Sequence, residues 1–128
     1  MTDEATMRAV VLEYFRCLDT ENWVRMRELW TPDGRLRAVG ARPRDGADAV
    51  IGYFSKLFDP WPAHEDKPVR LVVSEPDQTV LAEVVFTGRT PAGSDVRFEA
   101  VDVFDFAGGR IAKLSNWYDI DFARRALA

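Results

Sequence analysis

Apolar positions follow helical spacing early in the chain and strand spacing later. In Ala5–Leu18 the residues Val10, Val11, Tyr14, Phe15 and Leu18 fall three or four positions apart, the stripe of an amphipathic helix. Asp19–Asn22 interrupts it. Trp23–Trp30 predicts a second helix, capped by Asn22, with Trp23, Met26, Leu29 and Trp30 turned inward. Pro32-Asp33-Gly34 reads as a turn and Arg35–Val39 as a short strand. A third helix is predicted over Ala47–Phe58, capped by Asp45, with Val50, Ile51, Phe54, Leu57 and Phe58 as its apolar set.

From there the pattern alternates. Val69–Ser74, Thr79–Thr87, Asp95–Phe106 and Arg110–Asp119 are β-rich, separated by turn chemistry at Glu75–Gln78, Pro91–Ser94 and Ala107–Gly109. Phe122–Ala128 predicts a closing helical turn. Helices followed by an antiparallel meander imply an α+β fold with helices on one face of a sheet. A sheet of this length must curl to be covered, and a curled sheet around a helix leaves an apolar mouth suited to a small molecule.

One strand face breaks its own pattern. Val96, Phe98, Ala100, Asp102, Phe104 and Phe106 point to the same side, and only Asp102 is polar. A carboxylate there must find donors or hold a proton. For the last hairpin, a three-residue Ala107-Gly108-Gly109 loop keeps Lys113 off the apolar face. It pairs Phe104 with Ala112, Asp102 with Leu114, Ala100 with Asn116 and Phe98 with Tyr118, so Asp102, Asn116 and Tyr118 share one inner surface.

Composition narrows the function. The 128 residues suffice for one domain, taken as 1–128. Net charge is −4 and no basic run exceeds two residues, which argues against nucleic acid. No apolar run approaches the roughly 20 residues of a membrane span. Met1–Met7 is polar and acidic, unlike a secretory leader, and a cytoplasmic protein is expected. The single Cys17 excludes an intramolecular disulfide and reads as a buried small hydrophobe. One Cys and one His, His64, make no zinc set, and His64 in Pro60–Pro68 reads as a solvated loop residue. No metal and no cofactor are expected.

Several pieces in order carry a resemblance: Met7–Tyr14, Leu29-Trp30 before a short strand, Pro43-Arg44-Asp45-Gly46 before the third helix, and the hairpin from Val101 through Ile111. Together they resemble the NTF2-like superfamily, in its ketosteroid-isomerase and SnoaL-like polyketide cyclase branch. The resemblance implies a cone of three N-terminal helices packed into a curved, mostly antiparallel sheet. It also implies a homodimer through the outer sheet face, here offering Glu99, Val101, Val103, Ile111 and Trp117. By the same resemblance Tyr14 and Asp102 form an oxyanion-binding pair. The isomerase base falls at or beside Ala38, which cannot abstract a proton, so no base is assigned. The carboxylate that related limonene-epoxide hydrolases carry on the last strand falls on Asn116, and their Arg and second Asp fall near Val84 and Phe86.

The resulting expectation is an enzyme doing proton-transfer chemistry (isomerisation, cyclisation or dehydration) on a hydrophobic, oxygen-bearing small molecule. Tyr14, Asp102 and Asn116 are its candidate catalytic residues. Trp30, Ala38, Tyr53, Phe86, Phe104 and Tyr118 are candidate pocket residues. Two alternatives stay open: a non-catalytic binding or assembly domain of the same fold, and an epoxide hydrolase.

Overall fold

The structure, a computed structural model, describes residues 1–127. Its elements run α1 (Glu4–Thr20), α2 (Trp23–Glu28), β1 (Trp30–Ala38), β2 (Arg44–Asp45), α3 (Ala47–Phe58), β3 (Ala63–Ser74), β4 (Thr79–Arg89), β5 (Asp95–Ala107), β6 (Arg110–Tyr118) and α4 (Ile120–Leu127). The last residue of the predicted closing turn, Ala128, lies outside the described residues.

The strands form one sheet in the order β2-β1-β6-β5-β4-β3, antiparallel throughout except for the β1–β6 pair. This curved, mixed sheet with helices on its inner face is the expected α+β cone. α1 starts where the Asp3 carboxylate accepts the Thr6 N–H at 2.8 Å. It stops where Glu21 turns left-handed at φ 55°. Its inward stripe of Met7, Val11, Tyr14, Phe15 and Leu18 packs against β3 and β4. β4 sends Val80, Ala82, Val84 and Phe86 into the same core, which the period of two requires.

Several expectations need correction. Trp30 is not helical: α2 ends at Glu28, and the Ile111 N–H bonds the Leu29 carbonyl at 2.8 Å, drawing Trp30 into β1 beside β6. Asp45 does not cap α3. It pairs with Arg35 in β2, and Gly46 takes the cap position at φ 92°, a conformation that favours glycine.

β3 begins six residues earlier than predicted, at Ala63. It is an edge strand, where the missing N–H of Pro68 costs no ladder bond, and a bulge follows between Pro68 and Arg70. His64 is therefore in a strand. Its ring stacks on Phe58 with centroids 4.1 Å apart, and its Nε2 sits 3.1 Å from the Glu21 carboxylate.

The β5–β6 loop has two residues, Gly108-Gly109, both at positive φ. A bulge at Ala112 then restores the alternation, so Leu114 rather than Lys113 opposes Phe104. Asp102 pairs with Asn116 and Ala100 with Tyr118, two residues from the predicted register but on the same face. The same bulge turns Ile111 into the core, off the outer face where it was expected.

Candidate active site

The inner face holds a partly open cavity of about 110 Å³. Its apolar wall is a ladder of rings across three strands. Phe86 and Phe98 have centroids 4.9 Å apart, Phe98 stacks on Tyr118 at 5.0 Å, and Trp61 meets Phe86 edge-on at 5.4 Å. Leu57 and Phe58 of α3 and Ala123 and Leu127 of α4 close the remaining sides. Three polar side chains enter it: Asp66, Asp102 and Asn116.

Asp102, 4% exposed, lies on β5 between Ala82 on β4 and Asn116 on β6. The methyl side chain of Ala82 leaves the space beside it. The Asn116 Oδ1 accepts the Val39 N–H at 3.2 Å. A donor at that atom fixes it as the carbonyl oxygen, so the NH2 of Asn116 is its donor end. The β1–β6 pair places Ala38 directly beside Asn116.

Asp66 enters from β3, where it opposes Phe86. Its backbone N–H donates to the Asp19 Oδ1 at 2.8 Å, which ties the strand to the end of α1. Its own Oδ1 is buried and has no hydrogen-bond partner among the described residues. An unpaired buried carboxylate oxygen is costly.

Burial and mutual repulsion set the protonation states. Asp102 is raised well above the carboxylate range, first by burial and then by the charge of Asp66. Asp66 is pushed up to about 7, first by burial and then by Asp19 and Glu65. Burial thus favours the protonated form of Asp102, while Asp66 can gain or lose a proton near neutral pH. The Tyr14 hydroxyl is also raised, by burial first and by Asp102 next, so it stays a donor. Among the described residues no three His, Cys, Asp or Glu side chains gather as metal ligands.

Of the residues singled out in the sequence, Asp102, Asn116, Phe86 and Tyr118 line the cavity together. Tyr14 does not line it. It sits in the core with Phe104 edge-on at 5.0 Å, close enough to Asp102 for the two to interact electrostatically. Phe104 and Trp30 are fully buried and shape the core rather than the cavity. Ala38 is partly buried behind Asn116. Tyr53 lines a separate surface groove with Arg42 and Arg44. The residue missed is Asp66. Its signal was present: His64, Asp66 and Pro68 alternate with Glu65 and Lys67, but proline and charge density hid the strand.

Solved structures share the fold at low identity. A candidate polyketide cyclase from Xanthomonas campestris pv. campestris superposes with a TM-score of 0.90 at 15% identity, covering 99% of this chain and 100% of that one. A candidate SnoaL-like polyketide cyclase from Jannaschia sp. CCS1 gives 0.84 at 21% identity, covering 99% and 97%. An LEH-like epoxide hydrolase from M. tuberculosis gives 0.82 at 18% identity, covering 96% and 90%. No protein of curated function matches the chain by sequence. The profile of the SnoaL-like domain matches residues 11–114, and with the cone and its inward carboxyls the chain belongs to that family.

Proposed function

We propose that this protein is a proton-transfer enzyme acting on a hydrophobic carbonyl compound, with Asp66 as general base and Asp102 as oxyanion donor. The observation that carries this reading is the entry of both carboxyls into one apolar cavity, one of them with an oxygen left unpaired. Asp66, in its ionised form, takes a proton from the carbon beside the carbonyl. The electron pair moves to the carbonyl oxygen, where the protonated Asp102 and the Asn116 NH2 donate to the enolate. Return of the proton to another carbon is an isomerisation. Attack of the enolate carbon on a second carbonyl is a cyclisation. Tyr14 acts behind Asp102 as a positioning residue, keeping its proton and excluding water.

The test uses cyclohex-3-en-1-one, a one-ring ketone of a size to suit the cavity, and follows deuterium incorporation beside its carbonyl by NMR in D2O. General acid–base catalysis contributes about 10²–10⁴-fold, so Asp66→Asn should lose at least about 100-fold of the protein-dependent rate. Asp102→Asn should lose a similar factor. Equal rates for the wild type and Asp66→Asn would dismiss the enzyme in favour of a binding domain. The same carboxyl pair also suits epoxide opening, with Asp102 protonating the oxygen and Asp66 activating water, and hydrolysis of cyclohexene oxide tests that second reading.

We also propose that a second copy covers the outer sheet face. Leu81 and Trp117 stand 39% and 51% exposed there, and Val101 and Val103 share the face.

A further inference from the structure

Beside the cavity, on the outside of α3, lies an open groove of about 580 Å³ lined by Arg42, Arg44, Tyr53, Lys56 and Leu57. Leu57 lines both, so the groove and the cavity lie on either side of one side chain. Its charge runs against that of the chain, which is −4 overall. No carboxylate lines the groove, and none of its three cations has a carboxylate within 4.0 Å among the described residues. The nearest acid in sequence, Asp45, follows Arg44 on β2 and faces a different surface hollow with Arg35.

Arg44 is held ready. Its guanidinium carbon sits 4.7 Å from the centre of the Tyr53 ring, and one Nη1 donates to the Arg42 carbonyl at 2.6 Å. That leaves most of its five N–H donors unused, in the fork that matches a carboxylate. Arg124 of α4 approaches the loop that leads to Arg42, where its Nη2 would lie 3.3 Å from a Cβ added at Gly40. Tyr118 on the cavity wall feels both Arg124 and Tyr53, so the groove and the cavity are electrostatic neighbours.

We propose that the ligand of the cavity is an apolar carbonyl compound bearing a carboxylate. Its apolar body lies against Phe86, Phe98 and Tyr118, and its carboxylate is held in the groove by Arg44, with Arg42 and Lys56 adding positive charge. This rests on the cavity being the ligand site, as in the proton-transfer reading above. It explains why three cations are left unpaired beside the cavity of an otherwise acidic protein. Electrostatic attraction at the rim would also speed capture of an anion.

The test compares 6-phenylhexanoate with 6-phenylhexan-1-ol, which share a ring and chain and differ in charge. Binding is followed by calorimetry and by tryptophan fluorescence, Trp61 being the indole on the cavity wall. At about 0.02 M salt the carboxylate should bind about 10-fold tighter than the alcohol, and the gap should shrink to about 2-fold at 0.5 M as exposed charges are screened. Arg44→Gln should weaken the carboxylate about 5-fold or more and leave the alcohol within about 2-fold. Lys56→Gln, at an exposed position on α3, should give a smaller loss of the same kind and guards against an effect of Arg44→Gln on folding. Equal binding of acid and alcohol at low salt, or a preference that survives the triple change Arg42→Gln, Arg44→Gln and Lys56→Gln, would overturn the anion site alone. Failure of both probes to bind would remove the cavity as a ligand site and this inference with it.

Discussion

Replacing Asp66 by Asn should stabilise the protein, and only at higher pH. Asp66 is raised from 3.8 to about 7 in the fold, chiefly by burial. A folded-state value above the unfolded one means that the ionised group opposes folding. The full stability is present below the unfolded value of 3.8 and is lost as pH rises toward about 7. The gap between the two values corresponds to about 4 kcal/mol. Relaxation of the edge strand lowers what is observed, and a difference of about 2–4 kcal/mol is expected at pH 8. At about pH 4 the wild type and the amide variant should differ little, since both side chains are then uncharged. In thermal unfolding the difference at high pH amounts to about 6–15 °C for a chain of this size. The groups that act on Asp66, Asp19 on α1 and Glu65 beside it, are present in both proteins. Urea denaturation followed by circular dichroism at pH 4, 5, 6, 7 and 8 reads it directly. Parallel stability curves for the two proteins would refute the reasoning, because they would mean that ionising Asp66 costs nothing.

Gly88→Ala should cost about 1–3 kcal/mol, since the new methyl would meet the Trp61 ring at 2.7 Å and the Ala63 carbonyl at 3.0 Å; a midpoint shift in urea together with altered tryptophan fluorescence checks it. Asp3→Ala removes the bond to the Thr6 N–H at the start of α1 and should lower stability by about 1 kcal/mol in the same assay. Cys17 is buried and its thiol is raised to about 11 by that burial, so a disulfide reagent at pH 8 should label it only as fast as the protein opens, and immediate labelling would contradict the packing. Trp117→Glu places a charge on the outer sheet face and should halve the mass seen by light scattering, whereas a wild type already monomeric at micromolar concentration would remove the proposed dimer.

Much of the architecture was legible because periodicity records which side of an element is buried. The bounds of α3 and the single polar position on the inner face of β5 follow from spacing alone. What spacing does not show is a bulge. Ala112 carries no mark of being the extra residue, so the β5–β6 register was read two residues away, and parity alone kept Asp102, Asn116 and Tyr118 on one face. Trp30 fits a helical stripe equally well, and only its docking beside β6 decides that it starts a strand. Asp66 was hidden for a different reason. An edge strand tolerates proline and outward charge, which are the same signals that mark a loop. The second carboxyl of the site therefore stood in a segment that looked structureless, and the base was sought at Ala38 instead.

The central claim is that two inward carboxyls share one cavity in different protonation states. Carbon-13 NMR of aspartate side-chain carboxyls, titrated from pH 4 to 9 in the wild type, Asp66→Asn and Asp102→Asn, tests it most directly. The account predicts one carboxyl titrating near about 7 that vanishes in Asp66→Asn, and a second that remains protonated through that transition and vanishes in Asp102→Asn. Two carboxyls titrating in the ordinary range near 3.8 would contradict it.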